Sequence, residues 1–397
     1  QILMHYCSIC TYPINHPLNL TFNKDMQCSG CQIHKEKYNI NWSKRLENLK
    51  KIVLLYRNKK QNYFDCVIPV SGARDSYFTV YVAKEILKLK PFLVNYNTHY
   101  NTEIGFRNLS YLKTLHGLNY LNLTIKPQTI KKITKYTLEN FGNIYWHCIA
   151  GQTVFPVQIA VKMKIPLIIW GAHQGVDQVG MYSHFDEVEM SRRYRRDHDL
   201  FNNEAEILLQ KSSLKKEDLH NFIYPADKEI QDVGVKGIYL NNYFQWDSKI
   251  QNEKMIKDYS LETLVQNRTF DKYQNIDCLM HSNVHDLFKL RKFGYSIVSD
   301  HCSREIRLGR LTRKEAMYLI DYYRFKKPKY ENYFCKWANI DKKKLDYFYD
   351  KFTNYDIWKK KEKKLELKKD FVSDEVKFDK NKKKKVINIL NKLNYLD

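Results

Sequence analysis

Residues 63–70 read Tyr-Phe-Asp-Cys-Val-Ile-Pro-Val and run straight into Ser71-Gly72-Ala73-Arg74-Asp75-Ser76. No other stretch constrains the fold as tightly. A short apolar run fits a strand buried on both faces of a parallel sheet. Helical spacing over 77–89 follows, so the unit reads strand, loop, helix. Small loop residues let backbone N–H groups approach an anion, and a helix start adds about half a positive charge. Ser71 and Ser76 add hydroxyl donors, and Arg74 adds a planar cation. The plainer reading is an ordinary capped turn, with Asp75 or Ser76 as the cap.

The alternation continues along the chain. Residues 92–96, 120–125, 165–170 and 237–242 read as strands, and 42–57, 106–115 and 154–163 as helices. Strands alternating with helices give a parallel sheet with helices on both faces. Ligands of such sheets lie outside the carboxyl ends of the strands. From about residue 289 the pattern is helical, with amphipathic segments at 313–323 and 342–352.

Four of the nine cysteines form one pattern: Cys7-x-x-Cys10, seventeen residues, then Cys28-x-x-Cys31. Two such knuckles supply the tetrahedral thiolate shell that Zn²⁺ prefers. Gly30 suits the tight turn of the second knuckle. The expected module is a Cys₄ zinc ribbon whose metal supplies folding energy. The alternatives are four scattered buried thiols, a redox pair or an iron–sulfur cluster. The other five cysteines show no pairing, and Cys66 fits the core of its strand. His281 and His285 are spaced for a metal but lack a third ligand, which favours packing.

The 397 residues carry 67 Lys+Arg against 44 Asp+Glu, a net charge of +23. Hydrophobic residues at 43% exclude global disorder. No apolar run of about 18 residues argues for a membrane span, and no export pattern opens the chain, so a cytoplasmic setting is expected. The charge invites a nucleic-acid reading. The Lys excess is spread evenly, however, which weakens that reading. Between 359 and 385 stand thirteen Lys against six acidic residues. That tail reads as a solvated, partly helical extension. The expected division is a ribbon at 4–40, an α/β domain at 41–245, a mostly helical region at 246–358 and the tail at 359–397.

Ser71 to Ser76 resembles the SGGxDS pyrophosphatase loop of the ATP-pyrophosphatase superfamily, with Ala73 in place of the second Gly. If that position needs a positive φ, alanine is strained there. Further stretches resemble the N-acetyl sugar amidotransferases of that superfamily. They are the paired C-x-x-C, Asn97-Thr-His-Tyr-Asn-Thr-Glu103, Ile168-Ile-Trp-Gly-Ala-His-Gln-Gly-Val-Asp-Gln-Val-Gly180, residues 186–198, residues 292–309 and Asn354-Tyr-Asp-Ile-Trp358. The resemblance implies a HUP-like (adenine nucleotide alpha hydrolase-like) sheet. It also implies that ATP adenylates the amide oxygen of an acetamido sugar, that ammonia displaces AMP, and that an acetamidino sugar results. Such sugars include nonulosonic acids of the pseudaminic or legionaminic type and O-antigen sugars. Cys148 lacks a nucleophile elbow, so a partner glutaminase is expected to supply ammonia.

The chemistry of such a reaction assigns roles. Arg74, the loop Ser71, Gly72, Ala73, Asp75 and Ser76, and Mg²⁺ are expected around the phosphates, with Asp75 as a metal ligand or helix anchor. Asn97 and Thr102 are expected at the adenosine, and Gly171 at a tight strand exit. His173 and Asp177 are expected in the strand-end crevice. There His173 donates to developing charge or takes a proton from ammonium, or else makes a structural hydrogen bond in a turn. Within 192–196, Arg192 and Arg193 either clamp an anionic sugar or form a solvated helix face. Asp300, His301, Arg304 and Arg307 form a polar cluster suited to a sugar carboxylate or diphosphate. Two other readings remain open: a tRNA-modifying thiolase of the same superfamily, and a degenerate nucleotide-binding scaffold.

Overall fold

The computed structural model describes residues 5–18, 20–57, 63–362 and 364–396. Met4, the expected start of the ribbon, lies outside them, as do Lys363 and Asp397 of the tail.

Five strands form one parallel sheet: β1 (Cys66–Pro69), β2 (Pro91–Tyr96), β3 (Tyr120–Leu123), β4 (Leu167–Trp170) and β5 (Lys236–Tyr239). Their order is β3-β2-β1-β4-β5. Val67 of β1 pairs with Phe92 on one side and Ile168 on the other. The chain therefore leaves β1 in one direction for β2 and β3, and lies on the other side for β4 and β5. The crevice of such a sheet opens where that direction switches, at the carboxyl end of β1. Cys66 and Ile68 face a layer holding Leu49, Tyr77 and Met255, while Val67 faces one holding Val154 and Val157. Burial of both faces is why the strands read as unbroken apolar runs.

Several boundaries differ from expectation. The loop helix starts at Arg74, not at 77, and passes into a π turn over Val82–Ile86. The helix expected over 154–163 is the second half of Trp146–Lys162, which is buried on most sides and so shows little periodicity. A helix over Pro127–Phe141, opened by proline in its first turn, was not anticipated.

The tail departs most. β6 (Trp358–Lys361) and β7 (Lys364–Leu367) form an antiparallel hairpin. The helix Lys382–Lys392 follows, and Val386, Ile389, Leu390, Leu393 and Tyr395 enter a core with Leu319 and Ile320. Two of its lysines pair with the helix Arg313–Tyr323, Lys392 with Glu315 at 2.8 Å and Lys382 with Asp321. The spacing 386, 389, 390, 393 is helical, and the surrounding charge concealed it. Among the described residues no helix is long and apolar enough to cross a membrane.

Candidate active site

The loop after β1 folds back on itself. The Ser71 N–H donates to Ser76 Oγ at 2.8 Å, and the Ala73 N–H donates to Ser71 Oγ at 3.2 Å. Ala73 has φ −110°, an extended conformation open to any residue, so the change from glycine carries no backbone strain. Gly72 is the position that tolerates no side chain. A Cβ there would stand 2.1 Å from the Gly105 carbonyl oxygen, on the helix Glu103–His116. Gly171 plays a related part at the exit of β4, where a Cβ would lie 3.2 Å from Cβ of Asp75.

Three of the hollows at this loop share lining residues. One of about 480 Å³ is lined by Ser71, Gly72, Asn97, Phe106 and Asp277. A central cleft of about 290 Å³ holds Ser71, Ala73, Arg74, Asp75, Ser76 and Gln274. A third, of about 400 Å³, holds Arg74, Asp177, Trp246, Gln274, His301 and Arg304. Ser71 and Asp277 belong to both the first and second hollows, while Arg74 and Gln274 belong to both the second and third.

A polar chain crosses from the loop to the third hollow. Arg74 Nη1 donates to Gln274 Oε1 at 3.4 Å, and His301 Nε2 lies 2.6 Å from the same oxygen. The other ring nitrogen of His301 stands 2.5 Å from Thr269 Oγ1. That pattern fits an Nε2–H tautomer accepting at Nδ1 from the threonine. Burial lowers the His301 pKa to about 3, which keeps the ring neutral. Asp271 fixes Gln274 by accepting from the Tyr273 and Gln274 N–H groups at 2.7 and 3.1 Å. Its second oxygen accepts from Arg304 at 2.7 Å. Burial pushes the Asp271 carboxyl up, but Arg304, His301 and Arg74 outweigh it and hold the group well below the usual range. Arg304 also donates to Glu305 at 2.8 Å and to the Tyr395 hydroxyl at 3.1 Å.

Other expected site residues take different places. His173 is fully buried, its ring centroid 3.7 Å from that of Tyr194, and both ring nitrogens lack partners. It lines none of the three hollows. Burial drops its pKa to about 3, because desolvating an imidazolium among tyrosines is unfavourable. Asp177 does face the third hollow, paired with the buried Lys37. Burial pushes its carboxyl up, and Lys37 more than offsets this, leaving it below the usual range. Asp300 is occupied by Tyr12 at 2.9 Å, by Gln178 at 3.0 Å and by Lys289. Thr102 caps its helix, accepting from the Gly105 N–H at 2.9 Å and donating to the Ile276 carbonyl at 2.5 Å. Arg192 donates to the Pro225 carbonyl at 2.7 Å and pairs with Asp227 at 3.0 Å, while the exposed Arg193 pairs with Asp197 at 3.3 Å. Neither arginine lines the hollows, so the solvated-face reading describes them better. Cys148 is buried and its thiol is pushed well up by burial. His281 stacks on Tyr100 with centroids 3.9 Å apart, a packing role.

The cysteines of the two knuckles converge. All four sulfurs lie within 4.8 Å of one another, with Cys10–Cys28 at 3.6 Å and Cys7–Cys31 at 3.9 Å. Four thiolates about 2.3 Å from a tetrahedral Zn²⁺ stand about 3.8 Å apart, so the donor set fits that ion. N–H groups of Ile9, Cys10 and Cys28 donate to Cys7 Sγ at 3.3–3.4 Å. Arg307, expected at the substrate, lines the third hollow and lays its guanidinium on the cluster. Its Nε is 3.3 Å from Cys31 Sγ and its Nη2 is 3.6 Å from Cys28 Sγ.

Lys37, Trp246, Gln274, Asp277 and Tyr395 escaped the sequence reading. Lys37 follows the second knuckle closely, but nothing local says where its side chain reaches. Gln274 and Asp277 lie in a polar stretch without period.

Residues 267–372 match the family model described as LPS biosynthesis protein WbpG-like, C-terminal domain. The match takes in Asp271, Gln274, Asp277, His301 and Arg304, which build one side of the hollows. Among solved structures, the NH3-dependent NAD synthetase from Campylobacter jejuni is similar over 49% of this chain and 92% of its own, at 15% identity and a TM-score of 0.29. At that score the likeness carries no argument. The comparison with curated proteins finds no match.

Proposed function

We propose that this chain is an ATP-dependent, AMP-forming amidotransferase that converts the acetamido group of a bacterial surface sugar into an acetamidino group. One observation carries the reading: the Ser71–Ser76 loop stands between two hollows and shares lining residues with each. A nucleotide with its adenosine beside Asn97 and its phosphates at the loop leaves the third hollow for the acceptor. Trp246 and Tyr145 offer that hollow aromatic surface, and Gln178, Ser248, Gln274 and Ser282 offer hydrogen bonds, a mixture that suits a carbohydrate. The LPS-type match over 267–372 supports a surface sugar.

The amide oxygen of the sugar attacks the α-phosphorus, and the bond to pyrophosphate breaks. Ammonia then adds to the activated carbon and loses a proton, the carbon–oxygen bond breaks, and AMP leaves. An amide oxygen is a weak nucleophile, so the chain's contribution is charge stabilisation and placement. The loop N–H groups, Ser71 and Arg74 meet the phosphates. Gln274, set by His301 and Asp271, holds Arg74 in line with the acceptor. Asp75 and Asp277 supply hard oxygen donors at the cleft, and burial pushes both carboxyls up. That donor set suits Mg²⁺, which would neutralise phosphate charge there. The Lys37–Asp177 pair keeps a fixed cation and carboxylate at the acceptor. The separate glutaminase and the cytoplasmic setting in this reading rest on the sequence resemblance.

The test is AMP release over a panel of free and nucleotide-linked acetamido sugars with ammonium. Release that requires both the sugar and ammonia is expected. Release that follows tRNA instead, or no release with any sugar, overturns the reading.

A further inference from the structure

The Cys₄ module is more than a fold attached beside the cavity. Arg307 belongs to both. Its Nε and Nη2 lie on Cys31 and Cys28, with Cys10 Sγ at 3.9 Å from Nη2, while Nη1 donates to the Gln178 carbonyl at 2.6 Å. The same side chain lines the 400 Å³ hollow. Gln178 in turn donates to Asp300 and to the Tyr12 hydroxyl, at 3.0 and 3.1 Å. A second link runs through the helix Ser29–Glu36, which carries Cys31 and follows directly on Cys28. Lys37 comes straight after it and meets Asp177 in the hollow. The knuckle also touches the opposite wall by backbone. Ser29 Oγ donates to the Val179 carbonyl at 2.8 Å, and a Cβ on Gly30 would lie 2.7 Å from the Gln178 carbonyl oxygen.

We propose that Arg307 and Lys37 are positioning residues through which the metal-bound thiolates set one wall of the acceptor cavity, residues 174–180. Four thiolates around one divalent ion keep a net negative charge, and that charge is the partner that holds the Arg307 guanidinium in place. Without the ion, the cluster loses its fixed shape, and Gln178 and Asp177 lose their anchors together. The proposal rests on the third hollow being the acceptor site only for its catalytic meaning, and the coupling itself is geometric.

Hydrogen exchange on the full chain tests it in three states: zinc-loaded wild type, wild type stripped with a chelator, and zinc-loaded Arg307→Met. Stripping is expected to speed exchange over 174–180 by about tenfold, while β1 and β2 stay protected. Arg307→Met is expected to speed exchange over 174–180 and leave 7–31 unchanged, with one equivalent of zinc confirmed by metal analysis. Should that variant lose its zinc, the stripped wild type decides alone. Exchange that rises only within 5–36, or that spreads to β1 and β2, overturns the proposal. AMP release plays no part in this readout, so it fails or stands apart from the sugar reading.

Discussion

His301 Nε2 stands 2.6 Å from Gln274 Oε1, and this contact joins the 400 Å³ hollow to the Ser71–Ser76 loop, because Arg74 donates to the same oxygen. Gln274→Ala removes the shared acceptor while leaving the loop backbone intact. Losing hydrogen bonds worth about 1–3 kcal/mol lowers kcat/KM for the acetamido sugar by about tenfold to a hundredfold. The KM for ATP stays within about threefold. Steady-state kinetics with each substrate varied in turn checks this, and an equal loss on the ATP side would assign Gln274 to the nucleotide.

Gly72 and Ala73 respond to an exchange of side chains for different physical reasons. Gly72→Ala drives a methyl into the Gly105 backbone, which has no flexible end to yield. A cost of about 1–3 kcal/mol and loss of ATP binding follow. Ala73→Gly relieves nothing, since φ is already −110°, and destabilises by about 0.5–1 kcal/mol through chain entropy. Urea midpoints and nucleotide titration of both variants separate the two effects.

The Lys37–Asp177 pair sets part of the acid stability. The folded pKa of Asp177 lies below its usual value, so its contribution is fully present above about pH 4 and is lost as pH falls further. Lys37→Met leaves a mostly buried carboxylate without its cation and costs about 3 kcal/mol at neutral pH. The variant loses less than wild type between pH 6 and pH 3. Urea unfolding at the two pH values measures this, and parallel losses in both proteins would mean that the pair contributes nothing.

His173 tests core against catalysis. Its folded pKa is about 3, below the unfolded value near 6.5. The unfolded chain therefore binds the proton first, and stability falls as pH drops from about 6.5 towards 3. His173→Phe removes that loss and keeps AMP release within about threefold. A hundredfold fall in AMP release at unchanged stability would return His173 to the chemistry.

Tyr395→Phe removes the acceptor for Arg304 at the far side of the hollow. Loss of a hydrogen bond to a charged group costs about 1.5–3 kcal/mol. Thermal unfolding of the full chain reads this, and an unchanged midpoint would mean that Arg304 is held by Asp271 and Glu305 alone.

How legible the molecule was depended on how local the determining physics is. The strand–loop–helix unit at 66–81 and the four converging cysteines could be read directly, because local spacing fixes where these residues come together. The helices Trp42–Arg57 and Arg313–Tyr323 matched their expected bounds, since each keeps one apolar face. The helix Trp146–Lys162 was half seen, because burial on most sides erases the period. Arg307 was expected at the sugar, and its guanidinium lies on Cys31 and Cys28 at the edge of the 400 Å³ hollow. The identity of an arginine's anion is decided by chain folding from about 280 residues away, here at Cys28. The tail was misread because its lysines dominate a pattern whose apolar positions bury Tyr395.

The helix Ile297–Arg307 is gripped from two distant parts of the chain. Thr11 reaches Ser303 across 292 positions, and Tyr395 reaches Arg304 across 91. Contacts of such long range close late, since the loop entropy must be met before they form. During synthesis the sheet and its phosphate loop can form while the helix still waits for Tyr395. The Ser71–Ser76 loop is therefore the early part of the candidate site and the 400 Å³ hollow the late part, so a nascent chain builds its anion-suited loop before the cavity beside it is complete.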